Sequence, residues 1–393
     1  MKLKVFLMLD NCLRKTCLIK ILFIFLCSLG IFLRSTILAK SQNAGLGPLE
    51  IRTQYPVTMP FLSMYPENTK TLGSGVAFFS YGYAVGNTIM NTEGKDRQIT
   101  KDEVNRGIVI SDFYDKETNK AIPGFRMYMD VESNRHLFRF KYGLGDSFEF
   151  GVEKEFITHE GGCCWDKIIE DWHSFVAVEN DTEHGNYRSY IHRSGYDYYV
   201  VKDGEFVIAS SSPFIQIEGD LYANLKWNLT EGGTFIPAIA AKFSYKFAKK
   251  NRSEVQKFIS SGSSDHGSYL ILSKGFGDYI VYVGEGVSVL KNSGVFASKL
   301  FHRFTTFEYR FGDLHSFIFQ TMVQSSIFPQ EGRIRRTSGQ SISFDPSNST
   351  DAAVVGYKGW WKDWFFEIGF VEDFNQVGNE TDIVIYFEGG MKW

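Results

Sequence analysis

Between Val76 and Trp393 the dominant rhythm of this sequence is two residues long. Apolar and aromatic side chains alternate with polar or small ones, the pattern of strands whose two faces meet different surroundings. Phe138, Phe140 and Tyr142 face one way, Arg139 and Lys141 the other, and a Gly143-Leu144-Gly145-Asp146 turn returns the chain as Phe148, Phe150 and Val152 against Glu149, Gly151 and Glu153. The same alternation marks the first strand around Phe79, Leu221 to Leu229, Phe235 to Phe247, Ser268 to Gly275, Tyr279 to Val289, Phe301 to Phe311, His315 to Ser325, Ala352 to Gly359, Trp364 to Asp373 and Thr381 to Trp393. With the Met127 to Gly143 strand and its partner, about twelve strands are expected. Their connections alternate between tight turns and long polar segments. Short turns on one rim and long loops on the other are the pattern of an outer-membrane β-barrel, and an even strand number puts both chain ends on the periplasmic side. The expected fold class is therefore all-β: a transmembrane antiparallel barrel, residues 76–393, with Phe138, Phe140, Phe150, Leu225, Trp227, Phe243, Phe307 and Tyr309 facing lipid.

Composition agrees with that surface. The 393 residues include 36 Phe and 20 Tyr, a supply that a barrel places on its lipid face and in its interfacial girdles. A net charge of -3 argues against a nucleic-acid binder. At the N-terminus Lys2, Lys4, Arg14, Lys15 and Lys20 precede an apolar run from Ile21 to Leu33, which reads as an export signal over residues 1–44, with an uncleaved anchor as the alternative. Cleavage after Ala39 or after Ala44 is expected, with Ile37 and Ala39, or Gln42 and Ala44, in the recognition positions, and Ala44 is preferred. The segment from Gly47 to Thr69 contains Pro48, Pro56, Pro60 and Pro66 and reads as an extended arm, residues 45–75, that could plug the lumen. Cys163 and Cys164 are adjacent and form no disulfide framework or metal motif. The last strand ends on an aromatic, Trp393, and so resembles the signal read by the machinery that inserts outer-membrane barrels.

The segments Gly47 to Pro56, Pro60 to Ser63, Tyr142 to Phe156, Gly161 to Phe175, Gly219-Asp220-Leu221 and Gly369 to Asp373 look like an uncharacterised bacterial family, domain of unknown function 3187. The resemblance covers nearly all of the mature chain. It implies an outer-membrane barrel and supplies no substrate. Lys154, where an apolar residue is usual, and the Cys163-Cys164 pair depart from the family pattern.

Candidate site residues follow from the polar face. Arg139, Lys141, Lys226, Lys242, Lys246, Arg310 and Lys358 stand against Glu149, Glu153, Glu218, Asp220, Glu308 and Glu367. Such a set either lines a solvated, charge-selective channel or closes the lumen with interior ion pairs. A second candidate is an amphipathic loop helix carrying Trp165, Ile168, Ile169, Trp172 and Phe175, a lid at the outer mouth or a packing element. An enzyme reading would use His302 or His315 beside Ser316 on the outer face, and no ordering motif supports it. No metal or cofactor is expected. The expected partners are outer-membrane lipid, the assembly machinery and an unidentified small molecule, and the expected location is the outer membrane. The function is ranked as a small pore or ligand conduit, then a plugged structural or docking barrel, then a rim hydrolase.

Overall fold

The computed structural model describes residues 44–91, 99–115, 117–162, 195–249, 251–329, 348–373, 381 and 383–393. The export-signal region and the loop-helix residues Trp165 to Phe175 lie outside them, as do Cys163 and Cys164. Fourteen strands form one sheet: β1 (Ala77–Asn91), β2 (Phe125–Leu144), β3 (Phe148–Glu160), β4 (Asp197–Lys202), β5 (Glu205–Ser210), β6 (Phe214–Thr230), β7 (Ala238–Phe247), β8 (His266–Phe276), β9 (Tyr279–Val289), β10 (Lys299–Arg310), β11 (His315–Gln324), β12 (Thr350–Trp361), β13 (Trp364–Asp373) and β14 (Ile383–Lys392). β1 pairs with β2 on one side and β14 on the other. Every strand but β4 and β5 thus belongs to one closed antiparallel ring of twelve. Among the described residues no helix is long and apolar enough to cross a membrane.

The twelve barrel strands are those expected from the alternation, and the local chemistry explains their ends. Short connections join β2 to β3, β6 to β7, β8 to β9, β10 to β11 and β12 to β13. The two-residue turn between β8 and β9 needs Gly277, whose φ of 68° is in the left-handed region that side chains disfavour. β7 begins at Ala238 rather than at the expected Phe235. Pro237 brings no backbone N–H to the ladder, so Phe235 stays in the turn and is 92% exposed. The outward residues Phe138, Phe140, Phe150, Leu225, Trp227, Phe243, Phe307 and Tyr309 are all exposed, and their sequence neighbours on the same strands are turned inward.

Two further features depart from the sequence reading. The long segment between β3 and β6, expected as one of the polar connections, contains the β4–β5 hairpin, which pairs with the outer end of β2, Phe125 to Asp130, beyond the reach of β3. That end of β2 is buried on both faces, so it shows no alternation to read. Glu218 is the second. The β3–β6 ladder slips between Lys154 and Phe156 and again between Ile157 and His159. These bulges turn Glu218 out of the lumen, where its carboxylate meets Lys154 at 2.7 Å and Lys249 at 3.1 Å. Lys154 therefore has a carboxylate partner outside the barrel and also donates to the Gly219 carbonyl at 2.7 Å.

The arm lies inside the ring. It rises from Gly45 along the wall, reverses in a turn where Thr58 and Met59 donate to the Tyr55 carbonyl at 3.0 and 3.2 Å, and descends from Leu62 to Leu72. Thr71 and Leu72 close the descent against Asp146 and Glu149, beside a short turn. Leu49, Ile51, Tyr55, Val57, Met59, Leu62, Met64 and Tyr65 are all buried, packed on inward residues such as Ile280, Ile318 and Val354.

An arginine placed on the outward face should cost the barrel about 2 to 4 kcal/mol when it lies near mid-depth. Leu225→Arg is the test, read as a lowered urea midpoint for the folded barrel in lipid vesicles. An unchanged midpoint would mean that Leu225 does not face hydrocarbon.

Candidate functional site

Three charged residues occur between Gly47 and Thr69, and each finds a partner on the barrel wall. Glu67 takes three lysines: Lys141 and Lys242 at 2.9 Å and Lys226 at 3.5 Å. Glu50 holds Lys141 at 2.8 Å, and its carbonyl accepts from Arg139 at 2.6 Å. Arg52 pairs with Glu153 at 2.7 Å and lies 4.1 Å from the Tyr222 ring centre. The wall adds pairs of its own, Lys226 to Glu149 at 3.1 Å and Arg139 to Glu388, and Tyr65 of the arm donates to Glu153. Five cations, Arg52, Arg139, Lys141, Lys226 and Lys242, face five carboxylates, Glu50, Glu67, Glu149, Glu153 and Glu388. A charge removed from water is tolerated only when paired and hydrogen-bonded, and this set is balanced only with the arm in place.

The remaining expected residues lie elsewhere in the lumen. Lys246 bridges Asp220 at 3.3 Å and Asp265 at 2.8 Å and donates to the Pro60 carbonyl. Lys358 holds Glu367 at 2.9 Å and donates to the Pro48 carbonyl at 2.5 Å. Glu308 accepts from the backbone of Leu46 and Gly47. Arg310 sits by a short turn, 3.0 Å from Asp313, and stands apart from the cluster. Sequence reasoning missed the arm's own Glu50, Arg52 and Glu67 as site residues, and Glu388, Glu155, Arg135 and Asp265 on the wall. The signal available was the rarity of charge in a stretch otherwise apolar, amide-bearing and proline-rich.

Shape matches charge. A Cβ on Gly369 of β13 would lie 2.9 Å from Leu49 and 3.0 Å from Ile51, so the wall gives up a side chain where the arm passes. On the β8–β14 side contacts are chiefly apolar or neutral. A narrow cavity of ≈ 60 Å³ remains there, between Ile51, Gln54, Ser63 and Met64 of the arm and Tyr269, His302, Phe304, Met322, Gln324, Val371 and Val384 of the wall. The outer end is sealed by an apolar cap in which Phe125 packs on Phe328 at 4.8 Å, with Tyr55, Val57 and Phe61 of the arm's turn beneath it and Tyr198 and Val200 of β4 beside it.

The histidines do not form the surface dyad considered from sequence. His302 faces the lumen and meets Ser288 at 3.1 Å. His315 is on the outer face, bonded to Tyr357 at 2.7 Å, whereas Ser316 points inward and donates to Glu308 at 2.6 Å. Strand alternation puts neighbours on opposite faces, so His315 and Ser316 cannot cooperate. Among the described residues no group of three or more metal-ligating side chains converges.

Two outcomes follow. Glu67→Gln strips Lys242 of its only ion pair among the described residues, and breaking a buried pair costs about 3 to 5 kcal/mol; limited proteolysis should cut the arm faster while the barrel stays folded, and unchanged cutting would remove Glu67 as the clamp. In the cap, burial pushes Asp197 of β4 up to about 6 from an ordinary 3.8. Its neutral form favours the folded hairpin, so protection is greatest well below pH 6 and declines as pH rises through that value. The protection factors of the β4 amides, which divide out the intrinsic pH dependence of exchange, should be higher at pH 5 than at pH 7.5, and Asp197→Asn should abolish the difference.

The solved structures similar to this one are barrels at low identity. An outer-membrane channel from Pseudomonas putida F1 is 11% identical, with TM-score 0.47, covering 84% of this chain and all of that one. A Pseudomonas aeruginosa FadL homologue is 9% identical, TM-score 0.33, covering 89% and 98% of the two chains. The translocator domain of the Neisseria meningitidis autotransporter NalP is 8% identical, TM-score 0.35, covering 82% and 89%. No curated protein matches the sequence. The match to a family model begins at the outer end of β2, so the arm, where part of the resemblance was read, precedes it. Over residues 125–393 the chain belongs to the family described as protein of unknown function, domain of unknown function 3187.

Proposed function

We propose that this protein is an outer-membrane conduit for small uncharged solutes, held closed at rest by its own N-terminal arm. The observation that carries the reading is the asymmetry of the lumen. Ion pairs clamp the arm to β2, β3, β6 and β7, while the wall from β8 onward offers mainly thioether, aromatic, amide and hydroxyl groups around the residual cavity. A displaced arm would widen the side that holds the cavity, where apolar, amide and hydroxyl groups outnumber the charged Glu308, Lys358 and Glu367. The export signal and the lipid-facing exterior support the outer membrane as its location.

A second reading, a permanently plugged barrel that braces the envelope or docks partners, is favoured by the number of buried ion pairs between arm and wall. Single-channel recording in planar bilayers separates the two, using refolded chain with and without Gly47 to Thr69. Current steps that appear or grow when the arm is removed support the closed conduit. Silence from both preparations, with the barrel folded, favours the plugged barrel.

A further inference from the structure

We infer that the Ala44–Gly45 bond is the site at which the export leader is removed, and that the α-ammonium freed at Gly45 docks on the buried carboxylate of Glu308. Glu308 is 1% exposed. Its Oε1 accepts from the Leu46 amide at 2.8 Å and Ser316 Oγ at 2.6 Å, and its Oε2 from the Gly47 amide at 3.0 Å and Tyr282 Oη at 2.7 Å. Successive backbone N–H groups turned onto one anion form a nest, here held open by Gly47 at φ +95°. Glu149, Glu153, Glu367 and Glu388 each have a lysine or arginine partner. Glu308 has no ion-pair partner among the described residues. Lys70, Arg310 and Tyr282 are the ionisable groups around it, and neither basic group comes within the 4.0 Å of an ion pair.

The chain meets this carboxylate at residue 45. A Cβ on Gly45 would lie 2.4 and 2.5 Å from its two oxygens, so the Gly45 backbone is pressed on the acid and no side chain fits. Gly45 N donates to Tyr282 Oη at 2.7 Å, and Asn68 holds the Gly45 carbonyl at 2.9 Å. Hydrolysis breaks the C–N bond, water giving its hydroxyl to the Ala44 carbonyl carbon and a hydrogen to the Gly45 nitrogen. The new amine takes up a proton at neutral pH, since an α-amino group has a pKa of about 7.7 to 8.0. One N–H of the ammonium keeps the Tyr282 bond and another turns to Glu308, supplying the missing cation. Gln42 and Ala44 occupy the positions a leader peptidase reads before this bond. This inference does not depend on whether the lumen conducts.

The test is the intact mass and N-terminal sequence of the full chain after export in a Gram-negative host, followed by amine-selective labelling of the folded barrel. A mature chain starting Gly-Leu-Gly-Pro, with its α-amine labelled about ten-fold more slowly when folded than in hot detergent, is the expected result, ten-fold matching one unit of proton affinity. Glu308→Gln should restore fast labelling, and Glu308→Asp, which keeps the charge, should stay slow if the glutamine variant does not fold. A start at Lys40 or elsewhere overturns the processing site. Equal labelling in both states, or slow labelling that Glu308→Gln leaves unchanged in a folded barrel, overturns the docking.

Discussion

A peptide group in hydrocarbon has no water to bond, so a sheet can lie there only if it has no edge. The double pairing of β1, to β2 and β14, meets this demand, and Ala77 and Trp393 exchange both of their backbone hydrogen bonds at 3.0 Å to close the seam. Everything else depends on the closure. A closed ring has an inside and an outside, period two assigns each residue to one of them, and the outside must be apolar while the inside is free to carry charge. The pairing of Trp393 also gives a structural role to the terminal aromatic that the sequence singles out.

Closure creates a second requirement. Twelve strands enclose more space than their own inward side chains fill, because interiors of filled barrels are reached near eight strands. Here a separate segment occupies that space, and it does so in the manner of a protein core: Leu49 and Ile51 against Gly369, Tyr55 among methionines, and charge meeting opposite charge. The ion pairs set where the arm sits more than how tightly the barrel holds together, since buried pairs return little beyond their desolvation cost. Their arrangement on one side of the lumen fixes the arm's register, as Glu67 fits between three lysines, of which Glu50 shares only Lys141.

The barrel was legible because its rule is local. A strand such as Phe243 to Phe247 declares both its faces without reference to anything distant, and Gly277-Asp278 declares its turn. What stayed hidden depends on two-sided burial or on partners far apart in sequence. The outer half of β2 and strand β4 are buried on both faces and lose the alternation. Glu218 and Asp220 share a parity, yet a bulge in their own strand, where two residues oppose Glu155, sends one outside and leaves the other in. The wall charges could be placed on the inward face from sequence, whereas their neutralisation by Glu50, Arg52 and Glu67 required knowing that a proline-rich arm folds back through the ring.

The course of that arm has a topological consequence. Gly45 and Leu72 both lie toward the rim of short turns, and the reversal at Tyr55 to Phe61 lies at the opposite end under the cap. The segment is therefore a finger inserted from one opening rather than a thread passed through two. It is able to leave or enter as a doubled chain without any barrel hydrogen bond being broken and without an end being pulled through the pore. Seating the finger is then an intramolecular docking in which the wall meets both the side chains and the backbone of the arm, and no strand pairing is exchanged.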